Sequence, residues 1–76
     1  MSLPRAPRKS AKAVVNTMSI ELEKRAWDAP SNYEMHLAVT RLTSLRDLAK
    51  RMGWAKLEYR IQCVIDDVLT KKGGIY

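Results

Sequence analysis

The sequence has little of what reaction chemistry requires. It holds one histidine, His36, and one cysteine, Cys63. A nucleophile, a base and an orienting acid must converge for covalent catalysis, and this chain has too few reactive groups to supply them. A zinc site needs several cysteine or histidine ligands, so no metal is expected. The three glycines, Gly53, Gly73 and Gly74, are too few and too scattered for a phosphate-binding loop. Asp66-Asp67 is the lone adjacent acid pair and reads as a solvated helix face near Lys71. These absences predict no enzyme, no cofactor and no small-molecule substrate. No apolar run approaches the ~20 residues of a membrane span, and no hydrophobic segment follows the basic start as a secretory signal would require. A single cysteine cannot form an intramolecular disulfide, which fits a reducing compartment. A cytoplasmic, bacterial protein with no membrane partner is the expectation.

Positive charge is abundant but unevenly placed. Lysine and arginine number 14 against 8 acids, a net charge of +6. Four of the cations, Arg5, Arg8, Lys9 and Lys12, fall in the first twelve residues, leaving ten against the same eight acids, or +2, for the remainder. A basic arm on a nearly neutral body suits an anionic partner. The first nine residues also carry Pro4 and Pro7 and can bury no face, so residues 1–10 read as a disordered basic tail.

From Ser10, a candidate N-cap, apolar residues fall at helical spacing: Val14, Val15, Met18, Leu22 and Ala26. Asp28-Ala29-Pro30 ends that segment, because proline disfavours helix in the residue before it. Ser31-Asn32-Tyr33-Glu34 then forms a capping box. A second seam follows at Met35, Ala38, Leu42, Leu45, Ala49 and Met52, alternating steps of three and four like a coiled coil. Thr43-Ser44 is a point where that helix is open to interruption; a continuous helix is the expectation. Gly53 suits the position just past a helix end. Trp54, Leu57, Ile61, Val64 and Val68 carry the same spacing onward, broadened by Ile65 and Leu69, with Gly73-Gly74 as the stop.

The expected fold is therefore all-α: a small three-helix domain over residues 11–72, with helices near 11–27, 32–52 and 54–71, and a C-terminal tail over 73–76. Helices two and three pair across Gly53, and helix one packs across them or crosses to a second copy. A domain of this size is marginal alone, so a homodimer or a partner that completes the core is compatible with it. The predicted core is Val15, Met18, Leu22, Met35, Ala38, Leu42, Leu45, Ala49, Met52, Trp54, Leu57, Ile61, Val64, Ile65 and Val68.

The stretch Ser44 to Ile65, SLRDLAKRMGWAKLEYRIQCVI, resembles a DNA-binding helix-turn-helix. Ala49 and, four residues later, Gly53 match that family's packing alanine and turn glycine, with Trp54 as the apolar residue entering the turn. The resemblance implies a recognition helix offering Lys56, Tyr59, Arg60 and Gln62 to base edges in a major groove. Arg46, Lys50 and Arg51 on the helix before it would hold phosphates. Arg5, Arg8, Lys9 and Lys12 would follow the backbone or minor groove. The chain departs from the family at Tyr59, where an aliphatic residue is usual, and in the length of the last helix. The seams on both sides of Gly53 fit a plain antiparallel hairpin as well.

The competing reading is an adaptor or antiactivator that binds a regulator protein without touching DNA. Glu34-Met35-His36, followed by a leucine-spaced helix and a glycine turn, resembles TraM-type antiactivators. Apolar residues off the main seams, Ile20, Trp27, Leu37 and Leu69, would form its contact patch. Both readings place the protein in transcription regulation, with DNA or a protein as partner.

Overall fold

A computed structural model describes residues 10–72 of the chain. Arg5, Arg8 and Lys9 of the expected tail, and the C-terminal tail at 73–76, lie outside the described residues. Three helices form: α1 (Ala11–Asp28), α2 (Asn32–Arg51) and α3 (Ala55–Asp67), the last continuing as a π-helical segment, Val68–Lys72. No strand occurs among the described residues.

Local chemistry sets each boundary. The Ser10 hydroxyl accepts from the Ala13 amide at 3.1 Å and opens α1. Ala29, held extended ahead of Pro30, closes it. The Ser31 hydroxyl accepts from the Glu34 amide at 3.3 Å, so the hydroxyl half of the predicted capping box is what starts α2. Thr43 and Ser44 do not interrupt α2. Their hydroxyls donate back to the carbonyls of Val39 and Thr40, at 2.9 and 3.3 Å, and so satisfy themselves inside the helix. At the far end the Trp54 amide donates to the Ala49 carbonyl and the Gly53 amide to the Lys50 carbonyl, with Gly53 at φ 77°. This is the paired-bond termination that a glycine just past a helix end permits. Trp54 is thereby spent in the turn, and α3 begins one residue later than its apolar spacing implies.

Side-chain contacts fix the topology. Arg46 on α2 donates to Gln62 on α3, each about as far from Gly53 as the other, so α2 and α3 run antiparallel. Arg60 on α3 meets Ser19 on α1, and Lys72 reaches the Trp27 carbonyl. Contacts that advance together along both helices mean that α1 and α3 run parallel. The result is an up-down-up bundle with α2 in the middle, and α1 packs on its own chain's hairpin.

The core follows from that arrangement. Met35, Leu42, Ile61 and Val68 are fully buried, with Val15, Leu22, Ala26, Ala38, Val39, Leu45, Ala49, Leu57 and Ile65 around them. Several expectations change. Met18 is 44% exposed, because the buried stripe of α1 steps Val15, Ser19, Leu22, Ala26 and passes beside it. Met52 is 54% exposed, because it caps α2 beyond the last seam position. Trp54 and Val64 are half-buried at the core's edge. Val39 is buried although it lies off the predicted seam, because α2 has neighbours on two sides and needs a wider apolar face.

Candidate functional site

Antiparallel packing decides where charge accumulates. The N-termini of α1 and α3 and the C-terminus of α2 share one end of the bundle. Lys12, Arg46, Lys50, Arg51, Lys56 and Arg60 all lie in that half, where Asp47 and Glu58 are the acids. The other half carries Lys24, Arg25, Arg41, Lys71 and Lys72 against Glu21, Glu23, Asp28, Glu34, Asp66 and Asp67. The chain is therefore polar along its axis, with a basic end and a nearly balanced one. Residues 1–9 are attached at the basic end.

The predicted DNA-contacting residues divide between the two sides of α3. On one side, Arg46 and Lys50 line a depression with Asp47, Ala55, Glu58, Tyr59 and Gln62. Its charge is largely used internally. The Arg46 guanidinium pairs with Asp47 at 3.0 Å and donates to Gln62, whose amide donates to Asp66 at 2.9 Å. Tyr59 is 72% exposed on the outer face of α3. The Cys63 side chain one turn on pushes its phenol up, by hydrogen bonding first and by repulsion between ionised forms second. The phenol is thus a neutral group over the whole physiological range.

On the other side of α3, Lys12 and Asn16 of α1 face Lys56, Leu57 and Arg60 of α3 around a shallow pocket of about 210 Å³. Among the described residues no carboxylate lines it. The Arg60 guanidinium donates to the Ser19 hydroxyl at 2.7 Å, and that hydroxyl donates to the Asn16 carbonyl at 2.7 Å. Ser19, 3% exposed, is the buried polar residue of the described core, and among the described residues no buried side-chain polar atom lacks a partner. Sequence reasoning passed over Ser19 and Asn16. The available signal was Ser19 at the step between Val15 and Leu22, where an apolar residue would ordinarily stand.

The predicted protein-contact residues do not form one patch. Ile20 and Trp27, 51% and 37% exposed, share a stripe of α1 seven residues apart. Leu69 packs against the core. Leu37 lies elsewhere, in a groove between α1 and α2. Two adjoining pockets of about 370 Å³ each make this groove, sharing Leu22, Arg25 and Arg41; Met18 and Leu45 line one, Leu37 and Ala38 the other. His36 is exposed near the start of α2, and Cys63 is half-buried in α3. Among the described residues no group of three His, Cys, Asp or Glu side chains is placed to hold a metal ion. None of the described helices is long and apolar enough to cross a membrane.

No protein-family model matches the sequence, and no curated protein or solved structure matches the chain.

Proposed function

We propose that the chain is a small bacterial transcription-regulatory protein that binds duplex DNA with its basic end and its N-terminal arm. One observation carries this reading: an up-down-up topology that gathers Lys12, Arg46, Lys50, Arg51, Lys56 and Arg60 in the half of the bundle that holds the start of α1, which Arg5, Arg8 and Lys9 precede in the sequence. A duplex carries one negative charge per ~1.7 Å of its axis, and each phosphate met by a lysine or arginine releases condensed counterions. Cations gathered at one end meet that charge together; the same number spread over the surface would not. The hairpin presents Lys56 and Arg60 from the start of α3 and Lys50 and Arg51 from the end of α2, so both of its helices offer cations to the duplex at this end.

The test is fluorescence anisotropy of a labelled duplex at several salt concentrations. Binding that weakens steeply with salt is expected. Replacing Lys56 and Arg60 with glutamine is expected to weaken it at least tenfold while the helical circular dichroism is unchanged. Replacing Arg5, Arg8 and Lys9 with glutamine lowers affinity by a smaller factor. If that tail variant alone abolishes binding, the bundle's end is not a reader and the proposal fails.

A second reading is favoured by a different observation, the open α1–α2 groove. Met18 and Leu37 leave apolar surface exposed there, and Arg25 and Arg41 form no ion pair among the described residues, although Glu21, Asp28 and Glu34 line the same groove. An amphipathic helix of a regulator protein, with acids to meet those arginines, fits such a groove. This reading expects one protein to co-purify with the chain and to be lost in Leu37→Glu. Recovery of DNA alone counts against it.

A further inference from the structure

We propose that the seam between α1 and α3 is a phosphate-binding site for the backbone of double-stranded nucleic acid, in which Ser19 acts as the positioning residue for Arg60. This rests on the nucleic-acid reading above and narrows it to one surface.

The two sides of α3 differ in what their charge is free to do. Arg46, on the α2 side, is already paired with Asp47, and Glu58 lines the same depression. On the α1 side, Lys12, Asn16, Lys56 and Arg60 face one pocket, and among the described residues no acid lines it and none of the three cations is in an ion pair. Cations left together without a counter-charge repel one another, and an anion between them removes that cost.

Arg60 is also prepared for its partner. A hydroxyl in an apolar core is costly unless bonded. Ser19 meets that requirement by donating to the Asn16 carbonyl, which directs a lone pair toward the Arg60 guanidinium at 2.7 Å. One of the five guanidinium donors is spent on this anchor, and the others stay available for an oxygen pair such as a phosphate presents. Holding the side chain before binding removes part of the ordering cost that a free arginine would bring to the complex.

The spacing suits a strand. Lys12 and Asn16 are one turn apart on α1, and Lys56 and Arg60 one turn apart on α3. Four residues rise about 6 Å along a helix. Phosphates of one strand advance about 3.4 Å along the duplex axis. A row about 6 Å long covers close to two such ~3.4 Å steps, so the length of the seam suits successive phosphates of one strand, contacts that position a protein and carry no sequence information themselves.

The experiment compares two full-length variants of equal charge loss in duplex anisotropy across a salt series. One carries Lys12→Gln, Lys56→Gln and Arg60→Gln; the other carries Lys24→Gln, Arg25→Gln and Lys71→Gln in the balanced half. The seam variant is expected to lose at least tenfold in affinity at low salt, and its slope of log affinity against log salt becomes shallower by about 2.7, since each phosphate contact contributes roughly 0.9. The far-half variant keeps the parental slope. Equal losses in both variants overturn the seam and leave the wider nucleic-acid reading standing. No duplex binding by the parental chain sinks that reading and the seam with it. Tighter seam-dependent binding to anionic phospholipid vesicles than to duplex assigns the phosphates to lipid and overturns the proposal. For Ser19, a double-mutant cycle decides: Ser19→Ala weakens binding several-fold in the parental chain and has no further effect on Arg60→Gln. The same loss in both backgrounds removes Ser19 from the site.

Discussion

A buried hydroxyl left without a partner costs about 1–3 kcal/mol, and Ser19 avoids this by bonding to Asn16 and Arg60 at once. It joins the core to the surface: the same side chain fills a step of the α1 stripe and holds an exposed cation. Gly53 is the other residue at which one atom matters. Its φ of 77° lies where a Cβ is strained, and nothing within 4 Å would touch that Cβ. The cost of Gly53→Ala is therefore backbone strain alone, about 1–2 kcal/mol, and Gly53→Asn should cost less because asparagine tolerates that region better. Urea denaturation of the three chains checks the order. Equal stability of all three would mean that the turn can relax to another conformation.

Among the elements, α2 bears the most, packed by α1 on one side and α3 on the other. Leu42→Ala, at a fully buried α2 position, should cost about 2–5 kcal/mol, enough to unfold a domain this small at ordinary temperature. Met18→Ala on α1 should cost about 1 kcal/mol or less, because that side chain is nearly half exposed beside the buried stripe. Thermal melts of the two variants distinguish this arrangement from one in which Met18 points inward; a large loss in Met18→Ala contradicts the observed phase of α1. The helices themselves were legible in the sequence, because capping serines, Pro30 and Gly53 mark boundaries through local chemistry alone. The phase of α1 was not. Val14, Val15 and Met18 offer two overlapping apolar stripes, and only contact with α2 and α3 selects the one that runs through Ser19. Val39 was missed for a related reason: a seam read as a single stripe leaves out what a second neighbour buries.

At the scale of the whole molecule, the charge axis is a product of topology. Each basic residue is visible in the sequence, where Lys12, Arg46 and Arg60 are far apart. Only the up-down-up order brings α1's start, α2's end and α3's start together, with the N-terminal arm attached beside them. The same order opens the α1–α2 groove on another face, so the two proposed readings rest on separate surfaces. Variants at Leu37 should therefore leave duplex affinity unchanged, and variants at Lys56 should leave any Leu37-dependent partner bound; a single substitution that abolishes both would mean one shared surface. The most direct test of the central claim is the salt dependence of duplex binding by the full chain. Lys12, Lys50, Arg51, Lys56 and Arg60, the cations of that end not paired with Asp47, predict a slope of log affinity against log salt of about −4.5 or steeper at roughly 0.9 per phosphate. A slope near zero, or no duplex binding at low salt, contradicts the account.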